Sequence, residues 1–240
     1  MQIEICAGNL QSALNASKAG ANRIELCTEL SIGGLTPSYG LLEQVTRQLQ
    51  IPVHVLIRPR SGNFSYSDAE FEVIKTDILH CKEKNCAAVV SGILTKENTI
   101  DISRTTELVQ LAKPMKFIFH RAFDWVKNPI ESLEQLIKIG VNGILSSGGH
   151  KTAYGGIDEL KKWHTYANHK MEIIPGGGIN ADNIKHFKTA GFDIVHSSAS
   201  TITYPEIDNS VELNNLDLLQ KNGIIRSDLE KIKTLIQVVK

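Results

Sequence analysis

The chain has 240 residues, 42% of them hydrophobic, and its 26 lysines and arginines are matched by 26 aspartates and glutamates. That supports one large domain spanning residues 1–240 and argues against a polyelectrolyte partner, so neither nucleic acid nor a membrane surface is expected. No apolar run reaches membrane length, and strand-like residues begin at Gln2, so no leader segment is expected and the protein is read as cytoplasmic.

Short apolar strands are predicted at residues 2–6, 23–27, 53–58, 87–90, 116–120, 143–146, 172–175 and 193–196. Each interval holds a helix-like stretch, and the repeat of roughly 20–35 residues is that of a βα unit rather than a hairpin. Pro37 opens a segment carrying Leu41, Leu42, Val45 and Leu49; Pro129 opens another carrying Leu133, Leu136 and Ile137. Ala19-Gly20-Ala21-Asn22, Ile139-Gly140-Val141-Asn142 and Ala190-Gly191-Phe192-Asp193 end their units alike, with a glycine after the helix and a short link to the next strand. Eight such units predict the α/β class and a single-domain (β/α)8 TIM barrel. In the tail, residues 207–215 read as a loop, and Ser227 is expected to cap a last helix carrying Leu229, Ile232, Leu235, Ile236 and Val239.

Barrel strands send alternate side chains inward. With Ile3, Ile5, Ile24, Leu26, Val53, Val55, Phe117, Phe119 and Val195 facing the helices, the interior receives Glu4, Cys6, Arg23, Glu25, Cys27, His54, Arg58, His120 and His196. Barrels usually fill that space with branched apolar groups, so the set implies either a ligand site or a paired network in which Glu4 and Glu25 meet Arg23 and Arg58. His54 sits early in its strand and reads as a hydrogen-bonded core residue. His120 and His196 end theirs, at the face where barrels keep their sites.

Other clusters point to the same rim. Arg58 and Arg60 flank a proline before Ser61-Gly62-Asn63, suiting a carboxylate or phosphate. His120-Arg121-Ala122-Phe123-Asp124 brings base, cation and acid together. Pro175-Gly176-Gly177-Gly178 ends the seventh strand, and a following helix capped by Asn180 or Asp182 would add its dipole for an anion. Ser146-Ser147-Gly148-Gly149 and His196-Ser197-Ser198-Ala199 flank that loop.

Arg23-Ile24-Glu25-Leu26-Cys27, Gly33-Gly34-Leu35-Thr36-Pro37-Ser38, Ile57-Arg58-Pro59-Arg60, Phe119-His120-Arg121-Ala122-Phe123-Asp124 and Pro175-Gly176-Gly177-Gly178 resemble the motifs of the CutC family of copper homeostasis proteins. The resemblance spans essentially the whole chain and is weakest over residues 202–225. It implies a cytoplasmic barrel, assembled as a homo-oligomer, that binds copper for buffering or tolerance. Cys6 and Cys27 are the cysteines best placed for the metal. Cu(I) prefers thiolates, and neighbouring strands about 4.8 Å apart allow two-thiolate ligation.

Two roles follow. One is Cu(I) binding at Cys6 and Cys27, helped by a nearby histidine. The other is an enzyme acting on a small anionic or phosphorylated compound: Glu25 or His120 moves a proton and Asp124 orients the chemistry. Arg58, Arg60, Arg121, Gly176, Gly177, Gly178, His196 and Ser198 would then hold the anion. A non-catalytic scaffold would instead have every interior charge paired and no open pocket.

Overall fold

Apolar alternation builds the strands, and glycine turns at Gly20, Gly140 and Gly191 return the chain from helix to strand in three of the units. The computed structural model describes residues 1–204 and 224–239. Its parallel strands are β1 Gln2–Ala7, β2 Arg23–Leu26, β3 Val53–Leu56, β4 Ala88–Ser91, β5 Lys116–Phe119, β6 Gly143–Ser146, β7 Glu172–Pro175 and β8 Ile194–Ser197. Pairing runs β7-β6-β5-β4-β3-β2-β1-β8, and a bridge between Gly176 and His196 brings the two edges together. The fold is the predicted (β/α)8 barrel.

Helices α1 Leu10–Ala19, α2 Tyr39–Gln48, α3 Asp68–Glu83, α4 Ile102–Ala112, α5 Pro129–Ile139, α6 Ile157–Ala167 and α7 Ile184–Thr189 lie between the strands. Gly20 and Gly140 end α1 and α5 at φ of 89° and 88°, where a Cβ would be strained, and their N–H groups return to the last-turn carbonyls. Pro129 opens α5 as expected, whereas Pro37 lies just outside α2, whose cap is Ser38 accepting from the Leu41 N–H.

The inward and outward parity holds throughout. Ile3, Ile5, Ile24, Leu26, Val55 and Phe117 join the core shared with the helices. Cys6, Cys27, Leu56, Val90, Ile118 and Leu145 belong to a separate cluster inside the barrel.

The tail departs from expectation. An antiparallel hairpin of β9 Ser200–Thr203 and β10 Ile224–Ser227 precedes the final helix α8 Leu229–Val239, and the loop read at 207–215 lies outside the described residues. Ser227 is not the helix cap. Its hydroxyl donates to the Cys6 carbonyl at 3.0 Å and its N–H to the Ser12 hydroxyl at 2.9 Å, so Asp228 accepts the free amides of Glu230 and Lys231 instead. Helix α8 packs on α1 and α7, completing the outer layer.

Asn9 fastens this hairpin to the barrel. Its Oδ1 caps α1 by accepting from the Ser12 N–H at 2.9 Å, while its Nδ2 donates to the Ile225 carbonyl at 2.9 Å. Losing both is expected to cost about 1–2 kcal/mol in Asn9→Ala. Urea unfolding midpoints test this, and an unchanged midpoint would dismiss the tether.

Candidate functional site

The parallel register stacks charged groups in the lower barrel. Glu4 stands opposite Arg23 on β2 and His196 on β8. Its Oε2 accepts from Arg23 Nε at 2.6 Å and lies 3.1 Å from His54 Nδ1, while Oε1 meets His196 Nδ1 at 2.8 Å. Burial would raise the Glu4 pKa, yet the hydrogen bonds of His196 and His54 and the charge of Arg23 hold it well below the usual range. His196 shifts upward: burial opposes its charge, but Glu25 and Glu4 outweigh that. Arg23 also reaches Glu172 at 2.8 Å. His54 is buried in the core as expected.

Glu25 does not join this network through an arginine. It pairs in register with Cys6 and accepts from the Cys6 thiol at 3.7 Å, leaving Oε2 buried without a partner. Burial raises its pKa to about 7, against the opposing charge of His196. The two sulfurs of Cys6 and Cys27 are 3.5 Å apart. Cys27 also contacts the Ala7 carbonyl at 3.8 Å. The Cys27 contact, burial and the charge of Glu25 push the Cys6 thiol well up. One ligand atom each from Cys6, Glu25 and His196 lies within 4.8 Å of the others, a set able to hold a metal ion.

Above these groups the C-terminal mouth encloses a cavity of about 390 Å³. Glu25, Arg58, His120, Arg121, His196 and Ser198 supply its polar wall; Leu30, Phe64, Trp125, Leu145 and Ile179 supply much of the apolar one. The aromatic side was not anticipated. Phe64 packs on His120 and Trp125 with ring centroids 4.8 Å away in each case. Both aromatics follow rim motifs read only for their charges.

Arg58 is a buried cation whose guanidinium donates to backbone carbonyls. Its Nη1 donates to the Ile32 and Gly34 carbonyls at 2.9 and 3.1 Å, and Nη2 to the Gly62 carbonyl at 3.1 Å. Gly34 is at φ 87°, and a Cβ there would sit 2.6 Å from Leu56 Cδ2, so the turn that presents its carbonyl needs glycine. No carboxylate forms an ion pair with Arg58 among the described residues, and its Nε has no acceptor. Arg60 is not brought to the cavity: it binds Glu70, the capping-box residue of α3, and donates to the Ser65 carbonyl at 2.9 Å.

His120 Nδ1 accepts from the Ala122 N–H at 3.3 Å, so in the neutral ring Nε2 carries the proton, and it too lacks a partner. Burial and the charge of Arg58 pull its pKa down to about 3, making it a neutral donor. Asp124 spends its oxygens on the β6 loop, accepting from the Ser147 N–H at 2.9 Å, the Gly149 N–H at 3.1 Å, the Ser146 hydroxyl and Arg121 Nε at 2.8 Å. It therefore orients that loop and Arg121, whose Nη2 donates to the Ser147 hydroxyl at 2.8 Å.

The glycine loop divides in two. Gly176 is occupied by barrel closure: its N–H donates to the Ser146 carbonyl at 2.9 Å, and a Cβ would lie 2.5 Å from Leu145 Cδ1. Gly177 and Gly178, with Ser198, reach the cavity. No helix starts directly behind them. Asn180 Oδ1 accepts from the Asp182 and Asn183 N–H groups at 3.0 and 3.3 Å, a local turn that delays α7 to Ile184 and removes the expected dipole.

The fold and this mouth define a TIM-barrel protein whose C-terminal cavity is lined by polar groups with unpartnered buried atoms. The CutC family model matches residues 1–201. A relative from Glaesserella parasuis, named as a CutC family protein, is 37% identical over 240 residues, covering 100% of this chain and 99% of its own. A mouse relative named as a copper homeostasis protein cutC homolog is 37% identical over 246 residues, covering 99% and 89%. The crystal structure of a putative copper homeostasis protein CutC from Streptococcus agalactiae superposes with a TM-score of 0.78 at 35% identity, over 82% of this chain and 98% of that one. The chain belongs to the CutC family. A thiamine phosphate pyrophosphorylase from Pyrococcus furiosus, at 14% identity and TM-score 0.60 over 99% and 95% of the chains, shares the fold alone.

Proposed function

We propose that this protein carries Cu(I) as cargo, bound by the Cys6 and Cys27 thiolates with His196 beside them, and so buffers copper. The observation that supports it is the pair of buried sulfurs 3.5 Å apart beside a carboxylate and an imidazole within ligand reach of Cys6. Cu(I) favours soft sulfur, and the carboxylates that disfavour a free thiolate stabilise a bound cation. Two copper homeostasis names among its relatives agree. Competition with a Cu(I) chelator under reducing conditions tests the reading. Cys6→Ala with Cys27→Ala is expected to weaken retention by more than the roughly 10–100-fold that loss of an outer-shell partner costs; unchanged affinity would discard these ligands.

We place the protein in the cytoplasm, where its four free cysteines would stay reduced. The resemblance implies a homo-oligomer, and light scattering that finds a single 26.5 kDa chain would overturn that.

A second reading has its own support: Glu25 Oε2, His120 Nε2 and Arg58 Nε are unpartnered, and all three residues line one cavity. Unsatisfied buried polar atoms are costly unless a ligand meets them. The mouth then serves a small anionic or phosphorylated substrate, with Glu25 moving the proton, neutral His120 polarising an oxygen, and Arg58, Arg121, Gly177, Gly178 and Ser198 holding charge. Thermal protection by inorganic phosphate or simple organic acids is expected, and its absence at high millimolar concentration for all of them would end this reading.

A further inference from the structure

We propose that the mouth binds a small hydroxy monocarboxylate, its carboxylate on Arg58 and its neighbouring hydroxyl accepting from the Nε2–H of His120 while donating to Glu25. The inference rests on the small-anion reading of the site rather than on copper.

Charge selects the class. Arg58 is 6% exposed and immobilised by three backbone carbonyls, so its positive charge is fixed at the cavity wall, and among the described residues no carboxylate forms an ion pair with it. One uncompensated cation calls for one anionic group. A carboxylate meets that demand, whereas a phosphate dianion brings a second charge into a wall that Phe64 and Trp125 make apolar. Arg121 and His196, which also line the mouth, are already paired with Asp124 and Glu4.

Hydrogen-bonding capacity selects the rest of the molecule. The His120 tautomer is set by the Ala122 N–H, so Nε2 offers a donor and requires an acceptor: a carbonyl or hydroxyl oxygen. Glu25 Oε2 requires the opposite, a donor such as a hydroxyl. Phe64 touches both Arg58 and His120, with the guanidinium 5.0 Å and the imidazole 4.8 Å from its ring centre, so the two donors flank one aromatic surface. A carbon skeleton can rest there, with Trp125, 48% exposed, closing the rim. The volume of about 390 Å³ is at the small end for ligand sites.

The probes are lactate, pyruvate and inorganic phosphate, scored by thermal shift and calorimetry on the wild type and on His120→Phe, which keeps a ring against Phe64 but removes the donor. Lactate is expected to stabilise the wild type more than pyruvate, which has no hydroxyl for Glu25, and His120→Phe to weaken lactate about tenfold, the scale of one hydrogen bond. If the variant does not fold, the His120 imidazole resonances of the wild type take its place and should shift on lactate addition. Unchanged lactate affinity in the variant, or unmoved resonances, overturns the proposal. Binding of phosphate but of neither acid overturns it while leaving the small-anion reading standing; binding of no probe removes both.

Discussion

Glu4→Ala is expected to be among the most damaging single substitutions in the barrel, costing about 3–5 kcal/mol, a large share of a typical domain's stability. The carboxylate is 2% exposed and balances Arg23 and a His196 held toward its charged form. Removing it leaves buried cations without their anion. Urea unfolding near neutral pH measures the effect, and a loss below about 1 kcal/mol would show the network to be no better than a surface ion pair. The pH dependence is a second check. Because the Glu4 pKa is depressed on folding, its contribution is present above the unfolded value of 4.5 and lost as pH falls through the lower folded value. Wild type and Glu4→Ala should therefore converge in acid.

Glu25→Gln is expected to act in the other direction, stabilising the fold above neutral pH. The folded carboxyl titrates at about 7 against 4.5 unfolded. Between those values the native state holds the extra proton, so stability falls as pH rises. Gln removes that penalty, worth on the order of 3 kcal/mol once Glu25 is fully ionised, and should make no difference below the unfolded pKa. His120 has the opposite slope: its folded pKa of about 3 means the unfolded state binds the proton up to 6.5, and stability grows with pH across that interval. The two oppose each other in the wild type between 4.5 and 6.5, so Glu25→Gln should expose the steeper His120 rise. Melting temperatures from about pH 4 to about pH 8 decide the matter; a difference that does not vary with pH would refute the raised Glu25 pKa. Added stability with lost ligand response is the pattern of a strained functional group.

Much of the barrel was legible in the amino-acid order because its signals are local. Strand alternation placed Glu4, Cys6, Glu25, Cys27, His120 and His196 inside, and Gly20 and Gly140 marked the returns from helix to strand. Less of the site was legible. Arg58 and Arg60 look equivalent two residues apart, yet the Gly34 and Gly62 carbonyls hold one at the cavity while Glu70 draws the other to α3. The triple glycine looked like one anion loop, yet Gly176 serves closure and Asn180 moves the helix away. Phe64 and Trp125 carried no periodic signal, because Phe64 lies in a loop and Trp125 ends the short 3-10 turn Arg121–Trp125, segments too short for a repeat.

Periodicity and turn chemistry were thus sufficient for the βα repeat, the barrel and the identity of its inward residues, since each depends on neighbours a few positions away. Register and closure decided what those residues do. They placed Glu4 between Arg23 and His196, residues 19 and 192 positions distant, and brought the Cys6 and Cys27 sulfurs together. They also left Glu25, Arg58 and His120 each with an unsatisfied atom on residues that share one cavity. Pairing and desolvation arise only when distant segments meet, so tertiary structure alone determines which buried charge is balanced and which keeps an unpartnered atom.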